Sequence, residues 1–90
     1  MNTNKKFDLY KKFLSTQPIS AIRVDLKEMD FYRIKMKYEI NKKYLILNAF
    51  ANKEKTSYGA NIMNDKNKVI AKFNNMFFAQ KLYEHGQKYL

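Results

Sequence analysis

The sequence contains no cysteine and no tryptophan, and its 90 residues include only two glycines and one proline. Without cysteine the chain forms neither disulfides nor a thiolate metal site, so its stability must come from a hydrophobic core. The isolated glycines, Gly59 and Gly86, exclude a glycine-rich phosphate-binding loop. A hydrophobic content of 46%, with seven Phe and seven Tyr, favours a folded domain over a disordered chain.

Long apolar runs are also missing. The most apolar stretch, 44–51, contains Asn48 and is far too short to cross a bilayer, and residues 1–6 are not followed by the apolar segment of a secretory signal. We therefore expect a soluble, cytoplasmic protein that does not enter a membrane. The length predicts a single domain over residues 1–90.

Groups suited to catalysis are sparse. The one histidine, His85, falls near the carboxyl end of a predicted helix, where a surface position is expected. The eight acidic residues are spread over different predicted elements, so they offer neither a pair for acid–base chemistry nor a metal site. The three serines have no nearby base. The sequence predicts a binding protein, not an enzyme, with no cofactor, no metal and no catalytic residues.

Acidic residues are outnumbered by basic ones, 8 to 18, which gives a net charge of +10. Such a charge favours nucleic acid, anionic lipid or an acidic protein as partner. Composition offers a second explanation, because only Arg23 and Arg33 are arginines and the wealth of Lys, Asn, Ile, Tyr and Phe is typical of an AT-rich genome. Both explanations of the charge stay open at the level of composition.

Hydrophobic periodicity predicts a helix at each end of the chain. Residues 5–15 carry apolar side chains at helical spacing, and Pro18 ends that helix within a few residues. Asn74 or Asn75 can cap a second helix over 76–89. Between the helices the apolar period changes to two, which is typical of strands. The predicted strands cover 20–26, 31–40, 43–52, 57–63 and 68–73.

Hairpin turns make these strands pair so that their apolar sets fall on one face. The predicted two-residue turns are at Asn41-Lys42 and Asp65-Lys66, with a turn around Glu54-Lys55 and an odd-length loop centred on Met29. The predicted pairs include Tyr38 with Leu45, Ala49 with Ala60, Ile62 with Val69, Ala60 with Ala71, Leu26 with Tyr32 and Asp25 with Arg33. The fold class is therefore α+β, a five-stranded antiparallel meander in the order α-β-β-β-β-β-α, whose inner face is covered by both helices.

The opposite, outer face of the predicted sheet mixes basic, aromatic and aliphatic side chains. Bases can stack on Tyr44 and Phe50 while the cations contact phosphates, with stacking contributing about 1–3 kcal/mol per base. This arrangement predicts binding of single-stranded DNA or RNA. The candidate binding residues are Arg23, Arg33, Lys35, Lys37, Tyr44, Ile46, Phe50, Met63, Lys68 and Lys72.

The same face has other interpretations. Its apolar members, together with Ile70, could form an interface with another protein or with a second copy of the chain, giving a homodimer. Alternatively, a terminal helix could cross to this face, or Phe50 could simply cover Gly59.

The small size, the Lys- and Asn-rich composition and the absence of a catalytic set resemble those of small accessory proteins of phages and mobile elements in AT-rich bacteria. The resemblance implies one of two functions. One is a nucleic-acid-binding module. The other is a protein-binding inhibitor or adaptor, for example an anti-defence, anti-CRISPR-type inhibitor of a host nuclease complex. No RNP motif, GXXG loop or helix-turn-helix signature decides between nucleic acid and a protein or nucleoprotein partner.

Overall fold

The computed structural model describes residues 3–90, and the side chains from residue 5 onward. The predicted domain limits of 1–90 include two residues outside this range. The elements are α1 (Thr3–Ser15), β1 (Ser20–Leu26), β2 (Phe31–Ile40), β3 (Lys43–Asn52), β4 (Tyr58–Met63), β5 (Val69–Phe73) and α2 (Met76–Gln87). The strands form one antiparallel sheet in the order β1-β2-β3-β4-β5, which confirms the predicted α+β meander with a helix at each end.

The central strands pair as predicted. Asn41 and Lys42 both have positive φ, 55° and 65°, as a two-residue type I′ hairpin turn requires. This turn sets Tyr38 opposite Leu45 along the β2–β3 ladder. The β3–β4 connection keeps Ala49 opposite Ala60. The apolar residues of β2, β3 and β4 therefore share the inner face.

Both helices pack on that inner face. The Phe13 ring of α1 lies 4.7 Å from the Tyr38 ring, and both side chains are fully buried. The Asn75 side chain caps α2 by accepting hydrogen bonds from the backbone of Phe77 and Phe78, at 2.8 and 3.3 Å. Small side chains in the sheet let the helices approach closely. Those buried alanines are Ala49, Ala51 and Ala60.

The register of β1 corrects the sequence-based prediction. Leu26 pairs with Phe31 and Asp25 with Tyr32, one residue away from the predicted pairs. The connection is a 3-10 turn over Lys27–Met29 followed by Asp30 in the left-handed conformation, φ 57°. Because this loop has an even number of residues, every side chain of β1 points to the face opposite the predicted one.

The slip exchanges the two faces of β1. Ile22 and Val24 lie on the outer face, opposite Lys35 and Arg33, whereas Arg23 lies on the inner face opposite Ile34. The predicted Asp25–Arg33 pair is therefore wrong. The Asp25 carboxylate instead lies 3.9 Å from the Lys53 ammonium group.

The last strand is shifted by two residues. Ile62 pairs with Ala71 rather than with Val69, and Ala60 pairs with Phe73 rather than with Ala71. A shift of two preserves the inward direction of Ala71 and Phe73, and Phe73 remains in the core. Val69 lies opposite Met63 on the outer face and is 43% exposed, so its predicted inward position is wrong.

The β4–β5 turn explains the shift. The Asn64 side-chain oxygen accepts from the backbone of Lys66 and Lys68, at 2.9 and 3.0 Å, and Asn67 is left-handed with φ 63°. These contacts close a three-residue loop, 65–67, in place of the predicted two-residue turn. A bulge between Ile62 and Met63 in the ladder then accommodates an extra residue in β5.

Candidate functional site

The outer face of the sheet is left open by the helices. Because α1 and α2 both pack on the inner face, the alternative in which a terminal helix covers the outer face is wrong. The open face is concave between β1 and the β4–β5 turn, where a groove of about 310 Å³ forms. Its lining residues are Ser20, Ile22, Lys35, Lys37, Tyr44, Ile46, Asn64, Asp65 and Asn67.

A buried amide lies at the centre of this face. Asn48 is only 2% exposed although it points away from the helix-covered side, because neighbouring side chains enclose it. The Arg33 Nε–H group donates to Asn48 Oδ1 at 3.1 Å, and Asn48 Nδ2 donates to Asn61 Oδ1 at 3.0 Å. Asn48 Nδ2 also lies 3.1 Å from the Met63 sulfur. These contacts fix three polar side chains from β2, β3 and β4 in one network.

The sequence pattern gives only one sign of this network, which is the interruption of the most apolar strand by Asn48. The network has an electrostatic consequence. Arg33 has five N–H donors, and among the described residues only its Nε–H group donates to a side chain. The guanidinium group is therefore held in position while most of its donors stay available.

One end of the outer face combines lysines with an exposed ring. The Lys37 ammonium nitrogen lies 4.5 Å from the centre of the Tyr44 ring, a cation–π contact, and Tyr44 is 46% exposed. Lys35 and Ile46 line the same groove.

The other end holds a second depression of about 310 Å³. On the outer side it is lined by Phe50, Gly59, Asn61 and Lys72. A Cβ atom built on Gly59 would meet no heavy atom of the described residues within 4 Å. The Phe50 ring therefore does not cover Gly59, and the interpretation of Phe50 as a local cover is wrong.

Most of the predicted binding residues share this surface. Those on the outer face of β2 to β5 are Arg33, Lys35, Lys37, Tyr44, Ile46, Phe50, Met63 and Lys72. Arg23 does not join them. Its guanidinium group lies on the inner face, 5.1 Å from the centre of the Tyr32 ring. Lys68 ends the β4–β5 turn, where its carbonyl oxygen accepts from the Asn64 N–H group, and Val69 takes the predicted place of Lys68 opposite Met63.

The cations of the outer face have no ion-pair partner among the described residues. Among the described residues, the ion pairs join Lys53 to Asp25 and Asp30, at 3.9 and 3.8 Å, and none includes a cation of the outer face. The acidic side chains beside the groove are Glu39, which faces Tyr44 across the ladder, and Asp65 in the turn. Arg33, Lys35, Lys37 and Lys72 therefore give this face a positive potential.

His85 is buried rather than exposed, which corrects the expected surface position. Its Nε2 atom lies 3.4 Å from the Thr16 carbonyl oxygen, and its ring packs 5.2 Å from the Tyr89 ring. Within residues 3–90, no group of three or more His, Asp or Glu side chains is placed to hold a metal ion. None of the helices described is long and apolar enough to span a membrane.

Fold and site thus define an α+β sheet protein with one covered apolar face and one open basic face. Comparisons with protein-family models, curated protein sequences and solved structures found no match to the chain.

Proposed function

We propose that this chain binds single-stranded nucleic acid, DNA or RNA, across the outer face of its sheet. The observation that carries the proposal is the open, concave face on which cations without ion-pair partners among the described residues adjoin an exposed aromatic ring. Lys35, Lys37 and Tyr44 line the groove, and Arg33 is held beside it by Asn48. In an accessory protein of a phage or mobile element, such binding would act on the strands of a nucleic-acid intermediate.

The arrangement favours a single strand over a duplex. Lysine ammonium groups contact phosphates in either form, but an aromatic side chain stacks on a base only when that base has left its own helical stack. Lys37 already lies over Tyr44. In the complex, the lysine moves from the ring to a phosphate and a base takes its place on the ring.

The test is a titration of the purified chain with fluorescent oligothymidine, single-stranded RNA and duplex DNA at several salt concentrations. We expect log affinity for the single strands to fall linearly with log salt, by about 0.7 per phosphate contact. The variant Lys35→Gln/Lys37→Gln removes two contacts, so we expect its salt slope to be shallower by about 1.4. Lys81→Gln/Lys88→Gln on the helix side is the matched control, because it removes the same charge from the other side of the sheet.

Two results would contradict the proposal. If none of the three nucleic acids binds at low salt, the face does not recognise nucleic acid. If the helix-side control weakens binding as much as the groove variant does, the net charge of the chain, and not this face, causes the association.

A second candidate function has an observation of its own. The slip of β1 adds aliphatic side chains to the outer face, where Ile22 is 58% exposed and Val24 is 38% exposed. Aliphatic surface next to positive charge suits an acidic protein surface better than it suits bases. The alternative is therefore an inhibitor or adaptor that binds a protein, such as a nuclease complex of a host defence system, or a homodimer.

The variant Ile22→Ser/Val24→Ser separates the two functions. A protein-binding face predicts that a partner captured from host lysate survives nuclease treatment and that this variant loses it, whereas a nucleic-acid-binding face predicts that no partner remains after nuclease treatment. Light scattering of the purified chain measures whether the captured partner is a second copy.

A further inference from the structure

No contact or backbone angle of the described residues explains why position 59 is a glycine. Glycine in a strand interior destabilises the fold by about 0.5–1 kcal/mol relative to alanine. A glycine is required where φ is positive or where neighbours leave no room, but Gly59 has no positive φ and no atom of residues 3–90 lies within 4 Å of its Cβ position. A glycine in a strand also occurs where a ligand approaches the backbone closely. The open space above Gly59 leaves room for such an approach.

The surroundings of Gly59 suit a flat polar ligand. Phe50 lies directly opposite Gly59 on the neighbouring strand, and Asn61 and Lys72 face each other on the next outward pair. Pairing between β4 and β5 ends at Ala60 and Phe73, so the depression is open at its far side. Its volume, about 310 Å³, is at the lower end of the range for small-ligand sites, about 300–1,000 Å³.

The central network leaves a donor unused on Asn61, which lines this depression. Arg33 can only donate, so Asn48 must present its oxygen to Arg33 and its nitrogen to Asn61. Asn61 accepts with its oxygen, which leaves its own NH₂ group as a donor. A ligand beside Asn61 is therefore recognised through an acceptor such as a carbonyl oxygen.

We propose that the depression over Gly59 is a base-binding subsite, in which a base bearing a carbonyl oxygen stacks on Phe50, with Asn61 donating to that oxygen and Lys72 contacting the adjacent phosphate. The inference rests on the proposed function and makes it more specific, because it favours bases with an exocyclic carbonyl oxygen, of which the thymine of the test oligomer is one. Adenine has no exocyclic carbonyl oxygen and fits the donor less well.

The test is a substitution that fills the subsite with a side chain. Gly59→Val places a branched side chain where the base would lie, and valine suits a strand, so the variant is expected to fold with an unchanged or higher melting temperature. We expect oligothymidine to bind about tenfold more weakly, because one base can no longer stack. The salt slope should be unchanged, because no phosphate contact is removed. Gly59→Ala is the matched control, since one methyl group leaves most of the depression open. An abasic oligomer of equal length is expected to bind wild type and Gly59→Val equally.

The outcomes separate the inference from the proposed function. If wild type binds oligothymidine and Lys35→Gln/Lys37→Gln weakens that binding while Gly59→Val does not, the subsite is wrong and the nucleic-acid face stands. If Gly59→Val weakens the abasic oligomer as much as oligothymidine, the effect comes from phosphate contacts and the subsite is again wrong. If wild type binds no oligomer, both proposals fail.

Discussion

Each face of the sheet is associated with one of the chain's two glycines, and the two glycines have opposite surroundings. Above the inner face, a Cβ atom on Gly86 of α2 would lie 2.7 Å from the Met36 sulfur and 3.1 Å from a methyl group of Ile34. On the outer face, a Cβ atom on Gly59 would contact nothing within 4 Å in the part of the chain that the structure describes. The inner face is therefore shaped by packing within the chain, whereas the outer face keeps a space that the fold does not use.

The contrast predicts that substitutions on the inner face change stability and those on the outer face change binding. Ile34→Ala provides the strongest test, because Ile34 is fully buried and its truncation is expected to cost about 2–5 kcal/mol of unfolding free energy. Ile22→Ala is the matched outer-face control, with an expected cost below about 0.5 kcal/mol. Urea unfolding followed by circular dichroism measures both. Equal losses would mean that Ile22 is buried and that the face assignment of β1 is wrong.

The same substitution at the two glycines sharpens the comparison. Gly86→Val is expected to cost about 1–3 kcal/mol, because the added side chain would displace the end of the Met36 side chain and press on Ile34, both of which are fully buried. Gly59→Val is expected to leave stability unchanged or to raise it by up to about 1 kcal/mol. Thermal unfolding under identical conditions measures the stability of both variants relative to wild type. A loss of stability at Gly59 as large as that at Gly86 would show that the space above Gly59 is already filled.

Asn48 is the exception on the outer face, since it is buried and yet polar. Asn48→Ala is expected to cost about 1–2 kcal/mol, because the Arg33 Nε–H group and the Asn61 side-chain oxygen both lose their partner. A double-mutant cycle with Asn61→Ala checks the cause. Strictly additive losses in that cycle would indicate that the two amides do not stabilise each other.

The central part of this fold was predictable from the sequence because two constraints agree there. The strands β2 and β3 are joined by Asn41-Lys42, a pair suited to a two-residue turn, and the turn brings apolar residues to one face. Either constraint alone would set the register.

The edge strand β1 lacks that agreement. None of its residues is buried, so its alternation of Ile22 and Val24 with charged residues does not select a face. The turn alone decides the register, and the left-handed Asp30 in that turn is held by a residue of the β3–β4 connection. The Lys53 N–H group donates to the Asp30 carbonyl oxygen at 3.2 Å, a contact that no local pattern reveals.

The composition of the candidate site was predictable, but its geometry was not. Alternation alone placed Tyr44, Phe50 and the lysines of β2 on one face. The enclosure of Asn48 and the empty space above Gly59 depend on the sizes and directions of side chains from three strands. These are properties of packing, and a pattern of residue types does not contain them.

The smallest expected change in stability comes from removing a buried hydroxyl group on the inner face, that of Tyr83. Tyr83 is fully buried, and its hydroxyl group has no hydrogen-bond partner among the described residues. Tyr83→Phe removes that group without leaving a large cavity, so we expect a gain of less than about 1 kcal/mol at neutral pH.

Alkaline pH should enlarge the difference between wild type and Tyr83→Phe. Burial raises the pKa of the Tyr83 hydroxyl above its ordinary value of 10.0. Above that value the unfolded chain releases the proton while the folded chain retains it, so ionisation of Tyr83 in the unfolded state lowers the stability of wild type as the pH rises. Urea midpoints at pH 7 and at about pH 10.5 are the measurement, and Tyr44→Phe, on the exposed outer face, is the control. A stability difference between wild type and Tyr83→Phe that stays constant with pH would show that the buried hydroxyl ionises as freely as an exposed one, and the inner face would then be less closed to water than its packing indicates.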